Sequence, residues 1–460
     1  MTKSLLDATT RRALAFLDEL PQRAVAPAVD LAALRAAMGG PMPERGSPPE
    51  EVIDKLDADV RPAVVANAGP RFFGFVIGGV HPVALAADWL VSTWDTNHGL
   101  YVLGPAASVA EETAGRWLLE ILGLPTDASF AFVTGGQMAN FTALAAARHE
   151  VLRRAGWDVE TQGLHGSPGI DIVASDESHI TVHRALRYLG LGTGAVRRVE
   201  SDDQGRMRPD SLRQVLSACR RPVVVCAQAG DVNSGAFDLF EEIVPMARER
   251  DAWLHVDGAF GLWAAASEKH RHLTRGVRGA DSWAVDAHKW LNVPQDCGIA
   301  VVAHPEAHRA AISTTTSYLV KSGGAERDPV DWTPEFSRRA RALPVYATLR
   351  HLGRAGVADL VDRCCALTRR MADRLRASPD VAVLNDVVLN QALVRFRDDD
   401  ETTRDVIARV QRDGTCWLGG TVWKGAAAMR LSLINATTTE ADVDRSADAI
   451  LRCLADALRA

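Results

Sequence analysis

The chain has 460 residues, 47% of them hydrophobic and 24% charged, which excludes a disordered or fibrous protein and suits a large domain with a smaller one. A net charge of −6 and a pI near 6.1, without any basic run, exclude nucleic acid as an expected partner. Seven cysteines, of which only Cys364 and Cys365 are adjacent, form no C-x-x-C pair, so neither disulfides nor a metal site is expected and a cytoplasmic setting is.

The N-terminus carries Lys3 and Asp7 where a secretory leader needs an apolar core. No stretch reaches the roughly 18 apolar residues of a membrane helix, so no membrane association is expected. Residues 1–70 predict amphipathic helices, including 9–20 and 31–38, broken by Gly39-Gly40-Pro41-Met42-Pro43. They resemble an arm more than a self-sufficient domain. From about residue 86 to 310, Ala- and Leu-rich helical segments alternate with short β-branched runs, which predicts an α/β fold with a mostly parallel sheet flanked by helices. The expected strands are 130–133, 170–173, 222–226, 253–256, 282–285 and 298–302. Beyond residue 345 a long helix (347–375), strands at 381–384 and 392–396 and a final helix (441–458) predict a small α+β domain. The division is therefore an N-terminal helical arm, 1–85, a large domain, 86–345, and a small C-terminal domain, 346–460.

In open α/β sheets ligands collect at the carboxyl ends of strands, so the turns after the strands deserve separate reading. The first, Thr134-Gly135-Gly136-Gln137-Met138-Ala139-Asn140, opens a helix and offers backbone N–H groups to an anion; alone it is equally a tight turn. In the second, Ser175-Asp176-Glu177-Ser178-His179, the imidazole can lie on an aromatic ligand or cap the next helix. The third, Asp257-Gly258-Ala259, delivers a carboxylate that needs a positive partner, such as a pyridinium nitrogen, or else caps a turn. The fourth is Asp286-Ala287-His288-Lys289-Trp290. Lysine is scarce in this chain, being confined to Lys3, Lys55, Lys269, Lys289, Lys321 and Lys424, and Lys289 alone follows an apolar strand. A buried lysine there is expensive as an ammonium but not as an imine. Together the turns supply a phosphate seat, a ring stacker, a pyridinium-pairing acid and an imine lysine, the set that pyridoxal 5′-phosphate (PLP) requires.

These residues resemble the group II PLP-dependent amino-acid decarboxylases, which include aromatic amino-acid, glutamate, histidine and diaminobutyrate decarboxylases. The resemblance runs from Arg71-Phe72-Phe73-Gly74-Phe75 to Met429-Arg430-Leu431-Ser432-Leu433, and its most specific parts are His288-Lys289, Asp257-Gly258-Ala259 and Ser175-Asp176 with His179. It implies a fold-type I homodimer with a shared active site and an N-terminal segment wrapped around the partner. It further implies Lys289 as the imine lysine, Asp257 at the ring nitrogen, and His179 and Ala259 on opposite ring faces. Gly135, Gly136 and Gln137 take the phosphate turn, and His288 lies near phosphate or substrate. The implied reaction converts an L-amino acid to amine and CO2 through an external aldimine and a quinonoid.

Two departures leave the outcome of that reaction open. Where the aromatic branch carries a proton-donating tyrosine on a mobile loop, this chain has Asp328 or Pro329, with Tyr318 upstream; where that branch has Pro-Thr, it has Gly78-Gly79. Loss of the tyrosine is associated with oxidative decarboxylation-deamination, which is the alternative, with transamination or another fold-type I reaction beside it. A scaffold without chemistry has no use for an imine lysine beside an acid. Phe75, Trp94 and Tyr101 either line an aromatic pocket or belong to the core, and Arg430 either holds a substrate carboxylate or makes a structural ion pair.

Overall fold

The computed structural model describes residues 2–27, 29–194, 196–314, 321 and 326–459. Seven strands build the larger sheet: β1 (Ser129–Val133), β2 (Asp171–Ser175), β3 (Arg197–Val199), β4 (Val223–Gln228), β5 (Trp253–Asp257), β6 (Ser282–Asp286) and β7 (Gly298–Val302). Their spatial order is β1-β7-β6-β5-β4-β2-β3. Strands β2 to β6 run parallel where they pair, whereas β7 is antiparallel to both β1 and β6. Reversing β7 lets β1 join the edge with its own carboxyl end aligned with the others.

Every residue of β1, β2, β4, β5, β6 and β7 is buried, which explains their near-continuous apolar sequences. Alternate side chains feed two cores. Val223, Val225 and Ala227 join Leu254, Val256, Trp283 and Val285 on one face, while Val224, Cys226 and Trp253 meet the helix Gly136–Arg154 on the other. The three-residue edge strand β3 escapes sequence prediction because its Arg197-Arg198-Val199 contains no apolar run.

A second, antiparallel sheet comprises β8 (Val381–Val383), β9 (Gln391–Phe396), β10 (Gly419–Trp423) and β11 (Ala426–Ser432), in the order β10-β11-β9-β8. Helices Asp400–Asp413 and Glu440–Ala457 cover it through Val406, Val410, Val443 and Ile450. Strand β11 contains no β-branched residue and β10 only Thr421-Val422 after two glycines, so neither presents a β-branched run. The helix Ala342–Arg376 begins five residues before the expected start at 347 and is interrupted at Gly353 (φ 60°), a backbone angle that glycine adopts without strain. The N-terminal helices Thr2–Glu19, Leu31–Met38 and Pro49–Val60 contain no buried residue. Among the described residues no helix is long and apolar enough to cross a membrane, and no group of His, Cys, Asp or Glu suits a metal ion.

Candidate active site

The register of the large sheet aligns functional positions. Gln228 pairs with Asp257, Asp257 with Ala284, and both Asp286 and Val133 lie opposite Gly298. The carboxyl ends of β1, β4, β5 and β6 therefore open on one rim.

At the first turn Gly135 has φ +119°, which side-chain-bearing residues rarely adopt, and the helix Gly136–Arg154 begins at once. A Cβ on Gly136 would stand 2.7 Å from Asp286 Oδ2, and one on Gly135 would stand 3.3 Å from the His288 ring. The turn is thus pressed against the segment that carries Lys289. Beside it, both Nε2 and Oε1 of Gln137 are buried without a hydrogen-bond partner, as is Asp286 Oδ1. Leaving buried polar atoms unpaired costs about 1–3 kcal/mol each, so such a cluster calls for a polar ligand. Glycines that leave space, free helix N–H groups and an unpaired amide fit the phosphate of PLP.

Lys289 sits in the single turn Ala287–Trp290 after β6. Its Nζ lies 3.1 Å from Asp286 Oδ2 and 5.8 Å from the Phe260 ring centre. His288 Nδ1 is 2.9 Å from the Cys297 carbonyl, which pins the imidazole against the glycine turn. Asn292 holds this turn from beneath: its Nδ2 donates to the Lys289, Trp290 and Ile434 carbonyls, and its Oδ1 accepts from Gly79 N and Ala436 N. A Cβ on Gly78 would stand 2.1 Å from the Lys289 carbonyl, so the Gly78-Gly79 departure is a packing requirement.

Asp257, at the end of β5, accepts at Oδ1 from Ala259 N (3.2 Å) and at Oδ2 from Asn140 Nδ2 (3.1 Å), with Thr181 Oγ1 3.5 Å from Oδ2. His179 caps the helix Ile180–Tyr188, its Nδ1 2.7 Å from Thr181 Oγ1, and its backbone N donates to Gln228 Oε1. Burial pulls the imidazole below its ordinary pKa; Asp257 and Asp286 oppose this, while Lys289 and Arg430 add to it. Those five residues share one electrostatic neighbourhood, in which His179 is neutral. Arg430, on β11, donates from Nη1 to the Val232 carbonyl at 3.3 Å and meets no carboxylate at ion-pairing distance among the described residues. Burial lowers its pKa and Asp231 partly restores it.

Gly135, Gly136, Gln137, His179, Asp257, Ala259, His288 and Lys289 thus face one rim. The aromatics open to reading as pocket lining or as core do not gather there. Trp94 is 58% exposed at the end of the helix Pro82–Trp94, Phe75 is 60% exposed and stacks on Trp417, and Tyr101 offers its backbone N to Asp328. Asp328 and Pro329 are buried. Tyr318 lies outside the described residues. Four polar residues were not singled out from sequence: Asn140, Thr181, Gln228 and the acidic character of Asp286. Asn140 and Asp286 stood inside quoted turns; Thr181 and Gln228 carried no signal beyond lying near strand ends.

The pyridoxal-dependent decarboxylase conserved domain matches residues 33–398. The chain belongs to the pyridoxal-dependent decarboxylases. It is a PLP-dependent carboxy-lyase with PLP as cofactor. The chain is 29% identical over 438 residues to the aromatic-L-amino-acid decarboxylase of Bacillus atrophaeus, covering 92% of this chain and 89% of that one. It is 31% identical over 343 residues to the acidic amino acid decarboxylase GADL1 of Homo sapiens, covering 73% of this chain and 65% of that one. The fold matches a crystal structure of Oryza sativa TDC with PLP and tryptamine at a TM-score of 0.93 and 24% identity, covering 99% of this chain and 98% of that one. That likeness establishes the fold-type I architecture of the decarboxylase.

Proposed function

We propose that this decarboxylase releases the α-carboxylate of an L-amino acid as CO2 and forms the amine, with PLP held as a Schiff base on Lys289. The observation that carries the reading is the convergence of Lys289, Asp257 and His179 beside the unpaired Gln137 amide at the glycine turn. When bound, the cofactor supplies an electron sink for the pair left at Cα. Asp257 holds a proton at the pyridine nitrogen, His179 and Ala259 flank the ring, and Gly135, Gly136, Gln137 and His288 bind the phosphate end. Arg430, a half-buried cation without a carboxylate partner among the described residues, receives the substrate carboxylate and orients it.

A second reading has one observation in its favour. Asp328 and Pro329 occupy the position where the resemblance expects a proton-donating tyrosine, and both are buried in a turn, with Asp328 engaged by Tyr101 N. Without a proton for Cα, O2 would take two electrons and become hydrogen peroxide, and hydrolysis would leave aldehyde and ammonia.

Purified protein should show the visible absorbance of a PLP Schiff base, lost on borohydride reduction and absent in Lys289→Ala. A colourless protein that takes up no PLP overturns the assignment. With a panel of L-amino acids, CO2 with amine supports decarboxylation, and CO2 with peroxide and ammonia supports the second reading. Neither product set would turn the search to transamination.

The N-terminal arm, 1–85, is proposed to wrap a second copy, since its helices bury nothing within one chain and expose Leu6, Leu14, Leu31, Met38 and Leu56. All seven cysteines are free and buried, which suits a reducing cytoplasm.

A further inference from the structure

Beneath the rim, a line of buried polar groups runs through the sheet to the two residues that flank the cofactor site. Trp253 Nε1 lies 2.9 Å from Ser282 Oγ, and Ser282 Oγ lies 3.0 Å from His255 Nδ1. His255 Nε2 lies 2.8 Å from Asn140 Oδ1, and Asn140 Nδ2 reaches Asp257 Oδ2 and Thr181 Oγ1, each at 3.1 Å. Thr181 Oγ1 in turn stands 2.7 Å from His179 Nδ1. Asn140, His255 and Ser282 are wholly buried.

One direction of donation satisfies every group along the line and gives Asp257 a donor. Indole N–H only donates, so Ser282 accepts from Trp253 and turns its own hydrogen to His255 Nδ1. His255 then carries its proton on Nε2 and donates to the Asn140 carbonyl. That fixes the amide orientation and aims both Asn140 hydrogens at the rim, one to Asp257 and one to Thr181. Thr181 turns its hydrogen to His179 Nδ1, which also accepts from Thr181 N, so the His179 proton stays on Nε2. Register supports the line, because His255 and Ser282 are paired neighbours on β5 and β6, two residues deeper than Asp257.

We propose that Asn140, oriented by His255, is a positioning residue that keeps Asp257 an ionised acceptor and holds His179 in a single tautomer. A carboxylate given an extra donor yields its proton more readily, so a shared proton stays on the pyridine nitrogen. If the amide were free to turn, its carbonyl would face Asp257, and repulsion between the two acceptors would favour a protonated Asp257 and an unprotonated ring. Burial holds His255 neutral, with its pKa pulled down to about 4, so the direction of the line does not change across the neutral range.

The inference rests on the assignment of Asp257 to the ring nitrogen, and the experiment separates the two. Enzyme loaded with nitrogen-labelled PLP is examined by nitrogen NMR, alongside PLP affinity and the melting temperature of the apoenzyme. The wild type should show a protonated pyridine nitrogen; an unprotonated one overturns the Asp257 assignment itself. In Asn140→Leu the nitrogen signal should move toward the unprotonated position and PLP should bind roughly ten- to a hundredfold more weakly. His255→Leu should do the same, whereas His255→Gln, whose amide can donate to Asn140 Oδ1, should restore the wild-type signal. Asn140→Leu or His255→Leu retaining a wild-type nitrogen signal overturns the positioning role, even where stability falls. Should Asn140→Leu not fold, the two His255 variants decide alone: equal signals from Leu and Gln overturn it.

Discussion

At the scale of single residues, the site is a set of charges that neutralise one another only partly within the chain. Asp286 pairs with Lys289 through Oδ2, yet its Oδ1 and both polar atoms of Gln137 stay unpaired. His255 offers a test at this scale. Its pKa is lowered from 6.5 to about 4 by burial, so the unfolded chain binds a proton that the folded chain refuses across that window. Stability must therefore fall as pH drops below about 6.5, by about 3 kcal/mol in all once pH 4 is reached. His255→Gln lacks this titration, so the stability of the wild type relative to that variant should shrink from pH 7 to pH 5 in urea titrations. A constant difference would contradict a neutral buried imidazole.

Among the elements, residues on either side of the segment Pro329–Asp331 meet on one carboxylate. Glu111, on the helix Pro105–Ile121, contacts Arg338 Nη1 at 2.9 Å and His98 Nε2 at 3.1 Å, all three buried, with the partly buried Arg327 near its other oxygen. Burial alone would push the Glu111 carboxyl up, but Arg338, His98 and Arg327 together hold it well below the usual carboxylate range. Arg338 also donates to the Phe132 carbonyl on β1, which ties this segment to the strand that leads into the glycine turn. Glu111→Gln would leave the buried Arg338 and the partly buried Arg327 short of counter-charge and should lower stability by about 3–5 kcal/mol in chemical denaturation. A change below 1 kcal/mol would mean that the arginines find other partners.

For the whole molecule, sheet order decides what the site contains. Placing β5 between β4 and β6 sets Asp257 beside the Lys289 turn, and Asn292 joins that turn to Gly79 at one end of the chain and Ala436 at the other. We propose that the dimer contact extends from the arm onto the helix Pro82–Trp94, which follows it on the outer surface. Leu90 and Trp94, four residues apart on the helix Pro82–Trp94, are 49% and 58% exposed. Leu90→Glu with Trp94→Glu should shift the protein from dimer toward monomer in sedimentation velocity and weaken PLP retention; an unchanged dimer would move the interface elsewhere.

Six strands of the large sheet, their buried character and the four candidate turns were legible in the sequence, because a strand buried on both faces must be apolar throughout and a turn at its end must be polar or glycine-rich. The lysine was legible for a simpler reason: of six lysines in 460 residues, one follows a strand of the large sheet. What the tertiary structure alone decided was partnership. Asn140 meets His255 and Asp257 across more than a hundred residues, Gly136 yields space to Asp286, and β7 runs against its neighbours. Apolar runs record that a strand is covered, not which strand lies beside it, so contacts that depend on sheet order and direction emerge only once the chain is folded.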